Sequence, residues 1–402
     1  MADSGFSIPA DWNRKGLPGW TYFSEELFEL ERDELFRKHW QYACHVSEVA
    51  EPGQYVALNV ADERGFVIRG ADGVIRAFHN LCRHRGSRIV TEEKGVCQSA
   101  IICPFHGWSY NLDGSLRGIA RSDAFPELKR EEWGLKPLEM EIWQGLVFCR
   151  FIPGPQPALA DILRPVSEEV KPYRIDGMQI AEEFPHEEHL PVNWKCVRDV
   201  DNEGYHVRQA HPGLHDLYGG DYRDETITEW ISRSEGRFNP GKGNLWSVRH
   251  YREHLPNPAH LPERSRNAWI YIGVFPNFVL GLYPDSAIYY QEIPLAPERT
   301  LQRGATFKYK NESRELKAAR YLSGRIDRIA SNEDRLLAVW SVEAIKSSAY
   351  SGVVFSDLEY GLAAYHDQLR KLLPVLANAG EPPRGRLREF NDAMKEANVR
   401  GE

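Results

Sequence analysis

The chain lacks long apolar runs. Nothing in its 402 residues approaches the ~18 consecutive apolar residues that a spanning helix needs, so no membrane span is expected. The opening MADSGFSIPADWNRKG has no apolar centre of the kind a signal peptide carries, and a cytoplasmic location is expected. Lysine and arginine form no block and the net charge is −8, which argues against nucleic acid as a partner. Cysteine is sparse, six in the whole chain and without dense regular spacing. That excludes a disulfide scaffold and leaves a metal role open for some of the six. No internal repeat or low-complexity tract occurs. What remains is an ordinary globular profile, 42% hydrophobic and 27% charged, in a chain long enough for more than one core.

The hydrophobic pattern changes period along the chain. Residues 24–39, SEELFELERDELFRKH, carry apolar residues at helical spacing behind a candidate N-cap, Ser24. Leu27 stands where a capping box would want an acid, so the cap signal is partial. From residue 54 short β-rich runs follow, QYVALNV, GFVIRG and VIRAFHN, separated by turn residues and continuing to GLVFCRF. The Pro/Gly stretch FIPGPQPALAD marks an exit. Beyond it a helix is expected in DILRPVSEEVKPY, another around 195–209, strands in series from AWIYIGVF to TLQRGATFKY, and helices at about 312–349 and 357–373. This predicts an α+β protein: a helical segment over 1–39, an antiparallel β domain over 40–152, and a domain over 153–402 whose antiparallel sheet is covered by helices.

Cys82 and His84 form C-x-H, and Cys103 and His106 form C-x-x-H. Thiolate and imidazole suit zinc or an iron–sulfur cluster. Zinc fingers usually place both Cys in one arm and both His in the other. One of each per arm suits a [2Fe–2S] cluster in which one iron takes both Cys and the other both His, an arrangement that raises the potential. Gly86 and Gly107 let backbone approach, Pro104 stiffens the second loop, and Trp108 is expected as a shield. Cys44, Cys97, Cys149 and Cys196 have no ligand spacing and read as ordinary thiols.

A second set lies in DNEGYHVRQAHPGL at 201–214. His206 and His211 are five apart, so a shared target requires the helix to end or loosen near Gln209. Taken alone the pair also reads as two surface histidines. With a carboxylate from elsewhere it would be a two-His-one-carboxylate site with open positions for oxygen on Fe(II).

The motifs CRHRG, CPFHGWSY, NWK, DNEGYHVRQAHPGL, FPN and NEDRLL together resemble the large, terminal subunit of Rieske non-haem iron ring-hydroxylating oxygenases, over nearly the full length. The resemblance implies His206, His211 and Asp334 as ligands of a mononuclear iron, with Glu333 as rival to Asp334. It implies Glu203 as the acid joining the two metal centres across a subunit boundary, through a cluster histidine such as the neighbour's His106. Asn202 touches Glu203 directly, where many relatives have a longer spacing, so Asp201 is a rival for the bridge. Tyr205 reads as packing, with its hydroxyl near the iron.

The implied cofactors are a [2Fe–2S] cluster, Fe(II), O2, and NAD(P)H acting through a separate reductase or ferredoxin. A homotrimer is implied, with a small beta subunit in some relatives. The expected reaction is hydroxylation of a small, aromatic substrate. The alternatives are N-demethylation or monooxygenation of a betaine-like quaternary amine, or an electron carrier whose second site is empty. Arg249, with the aromatics of WSVRHY, AWIYIGVF and AIYYQEI, is a candidate for the substrate pocket.

Overall fold

The protein is described by a computed structural model covering residues 8–181, 186–220 and 222–400. The chain divides into two compact units. One comprises residues 36–162 and 174–180; the other comprises the remaining segments, including 181–402. Among the described residues no helix is long and apolar enough to cross a membrane.

The first unit is antiparallel β. Strands β2 (Gln54–Val60), β3 (Glu63–Arg69), β4 (Ile75–His79) and β5 (Lys94–Val96) form one sheet in the order β4-β3-β2-β5. β1 (Gln41–His45), β9 (Glu139–Trp143) and β10 (Leu146–Arg150) form a second, in the order β1-β10-β9. β6 (Ile101–Ile102), β7 (Ser109–Tyr110) and β8 (Leu116–Gly118) form a third, and a short strand β11 (Met178–Ile180) also belongs to this unit. The β2–β3 hairpin turns on Ala61 and Asp62, both with positive φ. Two left-handed residues in a row match the right-handed twist of the flanking strands. Cys82, Cys103, Trp108 and Tyr110 are buried in one core with Phe66, Phe78 and Ile101, so the loops carrying the first motif are anchored from below.

The second unit is α+β. Its sheet runs β13 (Tyr222–Thr228), β14 (Ile231–Arg237), β15 (Ala268–Val274), β16 (Phe278–Leu282), β17 (Ala287–Ala296), β18 (Arg299–Tyr309), each antiparallel to the next, with β12 (His186–Leu190) also paired to β18. Helix α1 (Glu25–Glu31) starts at Ser24, whose hydroxyl accepts from the Leu27 N–H at 3.1 Å. The helix then widens into a π turn over Arg32–Phe36, so the regular α-helix is shorter than 24–39. α2 (Leu159–Val170) carries the chain out of the first unit. The expected helix at 195–209 is in fact broken: α3 (Trp194–Asp201) stops at Asn202, and a separate turn α4 (Val207–Ala210) precedes α5 (Pro212–Tyr218). Gly204 and Pro212 are the reason. Glycine disfavours a helix interior, and Pro212 has no N–H to continue the α4 ladder but suits the first position of a new helix. Further helices are α6 (Trp246–His254), α7 (Glu263–Arg266), α8 (Arg314–Ile345), α9 (Tyr360–Leu372) and α10 (Leu387–Arg400), the last not foreseen from the sequence.

Helix α8 positions the site. Ala319, Leu322, Ile326 and Ala330 form one buried stripe against Trp269, Tyr283 and Ile288 of the sheet. An adjacent row, 324-327-331-334-338, keeps the same three-four spacing and faces a cavity instead.

Candidate metal centres and cavity

In the first unit two loops are built alike. The Cys82 N–H donates to Ser87 O at 2.8 Å and the Gly86 N–H to Cys82 O at 2.9 Å. The Cys103 N–H donates to Trp108 O at 2.8 Å and the Gly107 N–H to Cys103 O at 3.1 Å. Gly86 and Gly107 both have positive φ, 75° and 69°, which is why glycine stands at each. The loops bring His84 and His106 to a ring separation of 4.7 Å. Both cysteines are buried and both histidines half-buried, so the thiolate end lies in the core and the imidazole end toward the surface. Trp108 stacks on His84 at 5.0 Å with the rings 7° from parallel.

These residues fit a two-iron cluster. His84 Nδ1 is buried without a hydrogen-bond partner, a cost that a metal bond would remove. Among the described residues, the donors gathered within 4.8 Å of one another are those of another trio, not these four. Four ligands of one tetrahedral zinc would crowd around a single point. The Tyr110 hydroxyl lies 3.4 Å from Cys82 Sγ and accepts the Arg83 N–H at 3.1 Å, a link between the second loop's strand and the first.

The second unit gathers that other trio, His206, His211 and Asp334. The break before α4 and the Pro212 restart let two histidines five apart share a target. His206 Nε2 is 3.1 Å from His211 Nε2, and Asp334 Oδ1 is 3.4 Å from the first and 2.8 Å from the second. Asp334 Oδ1 is nevertheless buried with no hydrogen bond of proper geometry. Three donors this close, facing one point, fit a shared cation better than a hydrogen-bonded network.

The outer ring nitrogens are also held. Glu203 Oε1 is 2.5 Å from His206 Nδ1, and Glu203 Oε2 accepts the His206 N–H at 3.2 Å. Glu333 Oε2 is 2.8 Å from His211 Nδ1. With a metal bound, each Nδ1–H would donate outward and each Nε2 lone pair would face inward. Burial opposes charge on His206, yet Asp334 and Glu203 push its imidazole up to about 10. Burial likewise opposes charge on Asp334, but the two imidazoles hold its carboxyl below the usual range. Three carboxylates around two imidazoles make a place that attracts positive charge.

Asp201 is directed at Arg198, 3.4 Å away, and lines the cavity without touching either histidine. Burial first, then the nearby Glu292, raises its carboxyl well above the ordinary value. Tyr205 is exposed, which corrects the reading of it as a packing residue. Arg249 does not line the cavity either: α6 buries Val248 and Tyr251, and Arg249 lies off that face.

The cavity measures about 360 Å³, within the size of small-ligand sites. Besides the trio its wall includes Tyr222, Tyr271, Tyr289, Tyr290, Asp327 and Arg198. Sequence reading passed over Asp327 and Arg198. The signal for Asp327 was its place seven residues before Asp334 on a helical face.

Comparison with known proteins gives a consistent picture. Residues 39–129 match the Rieske [2Fe-2S] domain family, and residues 170–374 match the ring hydroxylating alpha subunit (catalytic domain) family. The glycine betaine monooxygenase oxygenase subunit of Pseudomonas aeruginosa is 34% identical over 235 residues, 58% of this chain and 49% of that protein. The match therefore spans about half the length of that relative. The carnitine monooxygenase oxygenase subunit of Acinetobacter pittii is 32% identical over 235 residues, 56% of this chain and 61% of its own. A solved quaternary ammonium Rieske monooxygenase superposes with a TM-score of 0.76 at 24% identity, covering 91% of this chain and 99% of that one, and so shares the fold.

Proposed function

We propose that this chain, which belongs to the family of ring-hydroxylating oxygenase alpha subunits and carries its own Rieske domain, is a terminal oxygenase that oxidises a small quaternary amine of the betaine type. The observation carrying the oxygenase reading is the His206–His211–Asp334 triangle opening on a cavity. A plain electron carrier has no use for such a site. The relatives named above, which act on glycine betaine and carnitine, support the substrate class. They favour this alternative over the aromatic substrate expected from the sequence, and over a place in aromatic compound catabolism.

In this reading Cys82, Cys103, His84 and His106 hold the [2Fe–2S] cluster, and His206, His211 and Asp334 hold Fe(II). The bound iron supplies a place for O2 to be reduced beside the substrate. Glu203 and Glu333 fix the histidine tautomers and keep both Nε2 lone pairs inward. The contact of Glu203 with His206 supports Glu203, rather than Asp201, as the acid that joins the two centres. Electrons come from a separate reductase drawing on NAD(P)H, and the working assembly is a homotrimer.

The reaction balances as an N-demethylation. One oxygen atom of O2 enters an N-methyl group, and the other leaves as water with two electrons and two protons. The hydroxymethyl ammonium then releases formaldehyde and a proton, leaving a tertiary amine. The test is turnover of glycine betaine and carnitine with a reductase, following O2, formaldehyde and the amine product. Formaldehyde and tertiary amine matching the O2 consumed supports the proposal. Coupled hydroxylation of an aromatic compound, with both quaternary amines untouched, would overturn the substrate class.

A further inference from the structure

One acid in the cavity wall has no part in the site described so far. Asp327 stands on α8 in the row that carries Asp334, two turns earlier, or about 10.5 Å along the helix axis. The other acids of the wall are engaged. Asp201 faces Arg198, Glu203 grips His206, and Asp334 meets both inner nitrogens. Among the described residues Asp327 makes no ion pair. The Tyr283 hydroxyl donates to its Oδ1 at 2.9 Å.

That hydroxyl begins a relay. It lies 3.2 Å from the Tyr271 hydroxyl, which lies 3.3 Å from that of Tyr218. Trp269 stacks on the Tyr283 ring at 4.0 Å, fixing it in place. Tyr271 also lines the cavity. The wall thus offers a carboxylate oriented from behind, beside a tyrosine held by its own hydroxyl. Burial pushes the Asp327 carboxyl up to about 6 against the Tyr283 hydrogen bond. Asp327 is partly buried, and the only opposite-sign group acting on it is His186 of the same wall, which makes no ion pair with it among the described residues; a cationic ligand in the cavity would offset the cost of burying this carboxylate more directly.

A quaternary ammonium has no N–H to donate. It is recognised by a negative charge and by aromatic faces. Building on the proposed function, we propose that Asp327, flanked by Tyr271, is the seat of the ligand's quaternary ammonium head and sets the preference for a charged over a neutral head group. The two helical turns to Asp334 leave room for that head between the seat and the metal-binding end.

The test compares glycine betaine with 3,3-dimethylbutanoate, in which carbon replaces the nitrogen and only the charge of the head differs. Calorimetric titration of the wild-type holoenzyme should show at least tenfold tighter binding of glycine betaine. In Asp327→Asn that preference should fall at least tenfold while 3,3-dimethylbutanoate binds as before, and Asp327→Glu should recover part of it. A preference undiminished in Asp327→Asn overturns the assignment and leaves the quaternary-amine reading standing. Equal weakening of both ligands also overturns it, because the effect would not be one of charge. A wild type without any preference would instead sink the quaternary-amine reading itself.

Discussion

Glu333 and Asp334 are sequence neighbours placed on different faces of α8. One residue of a helix turns the side chain by about 100°, which puts Asp334 at the inner nitrogens and Glu333 on the outer nitrogen of His211. Sequence spacing alone could not separate them; the turn of the helix gives the two acids different partners. Glu203 and Glu333 are then equivalent supports, one for each histidine. Glu203→Gln or Glu333→Gln should weaken retention of the mononuclear iron by about 10- to 100-fold, measured against a competing chelator, with the visible spectrum of the cluster unchanged. Asp224 gives a residue-scale test of pH. Its carboxylate accepts from the Gly204 N–H at 2.7 Å and the Ser234 hydroxyl at 2.6 Å, yet burial pushes it up to about 6. The folded state then holds a proton that the unfolded state has lost, so this group's contribution to stability declines as pH rises from about 4 through about 6. Asp224→Asn should therefore gain thermal stability relative to wild type across that window, and the difference should level off above it.

At the scale of elements, the two cluster loops were legible because their residues define them locally: Cys, His and Gly at fixed offsets suffice. The histidine helix was not. Apolar periodicity suggested one helix over 195–209, but Asn202, Gly204 and Pro212 divide it, and that division lets His206 and His211 converge. The sequence held those breakers; what it could not show is that the chain uses them to aim side chains. The start of α3 illustrates a cost that sequence hides. Lys195 and Glu31 of α1 pair at 2.6 Å, both almost wholly buried, and Trp194 Nε1 donates to the same carboxylate at 2.9 Å. Removing one partner strands the other, so Glu31→Ala should cost roughly 3–5 kcal/mol. The double variant Glu31→Leu with Lys195→Met should recover much of that loss, as measured by urea unfolding.

At the scale of the molecule, the β domain and the α+β domain were both readable from the change of hydrophobic period. Their limits were less so. The first unit takes in residues 174–180 after a detour through the second, and no local pattern announces that a chain will return. Substrate class was the least legible feature, because cavity-facing rows such as 327-331-334 are spread along a helix and form no contiguous motif. The proposed function requires one chain to carry a cluster and a separate mononuclear iron held by His206, His211 and Asp334. Iron and acid-labile sulfide should be counted per chain in wild type and in the His206→Ala, His211→Ala double variant. About three irons to two sulfides in the wild type, falling to about two and two in the variant, is the predicted result. Two irons in the wild type, or three retained in the variant, would contradict it.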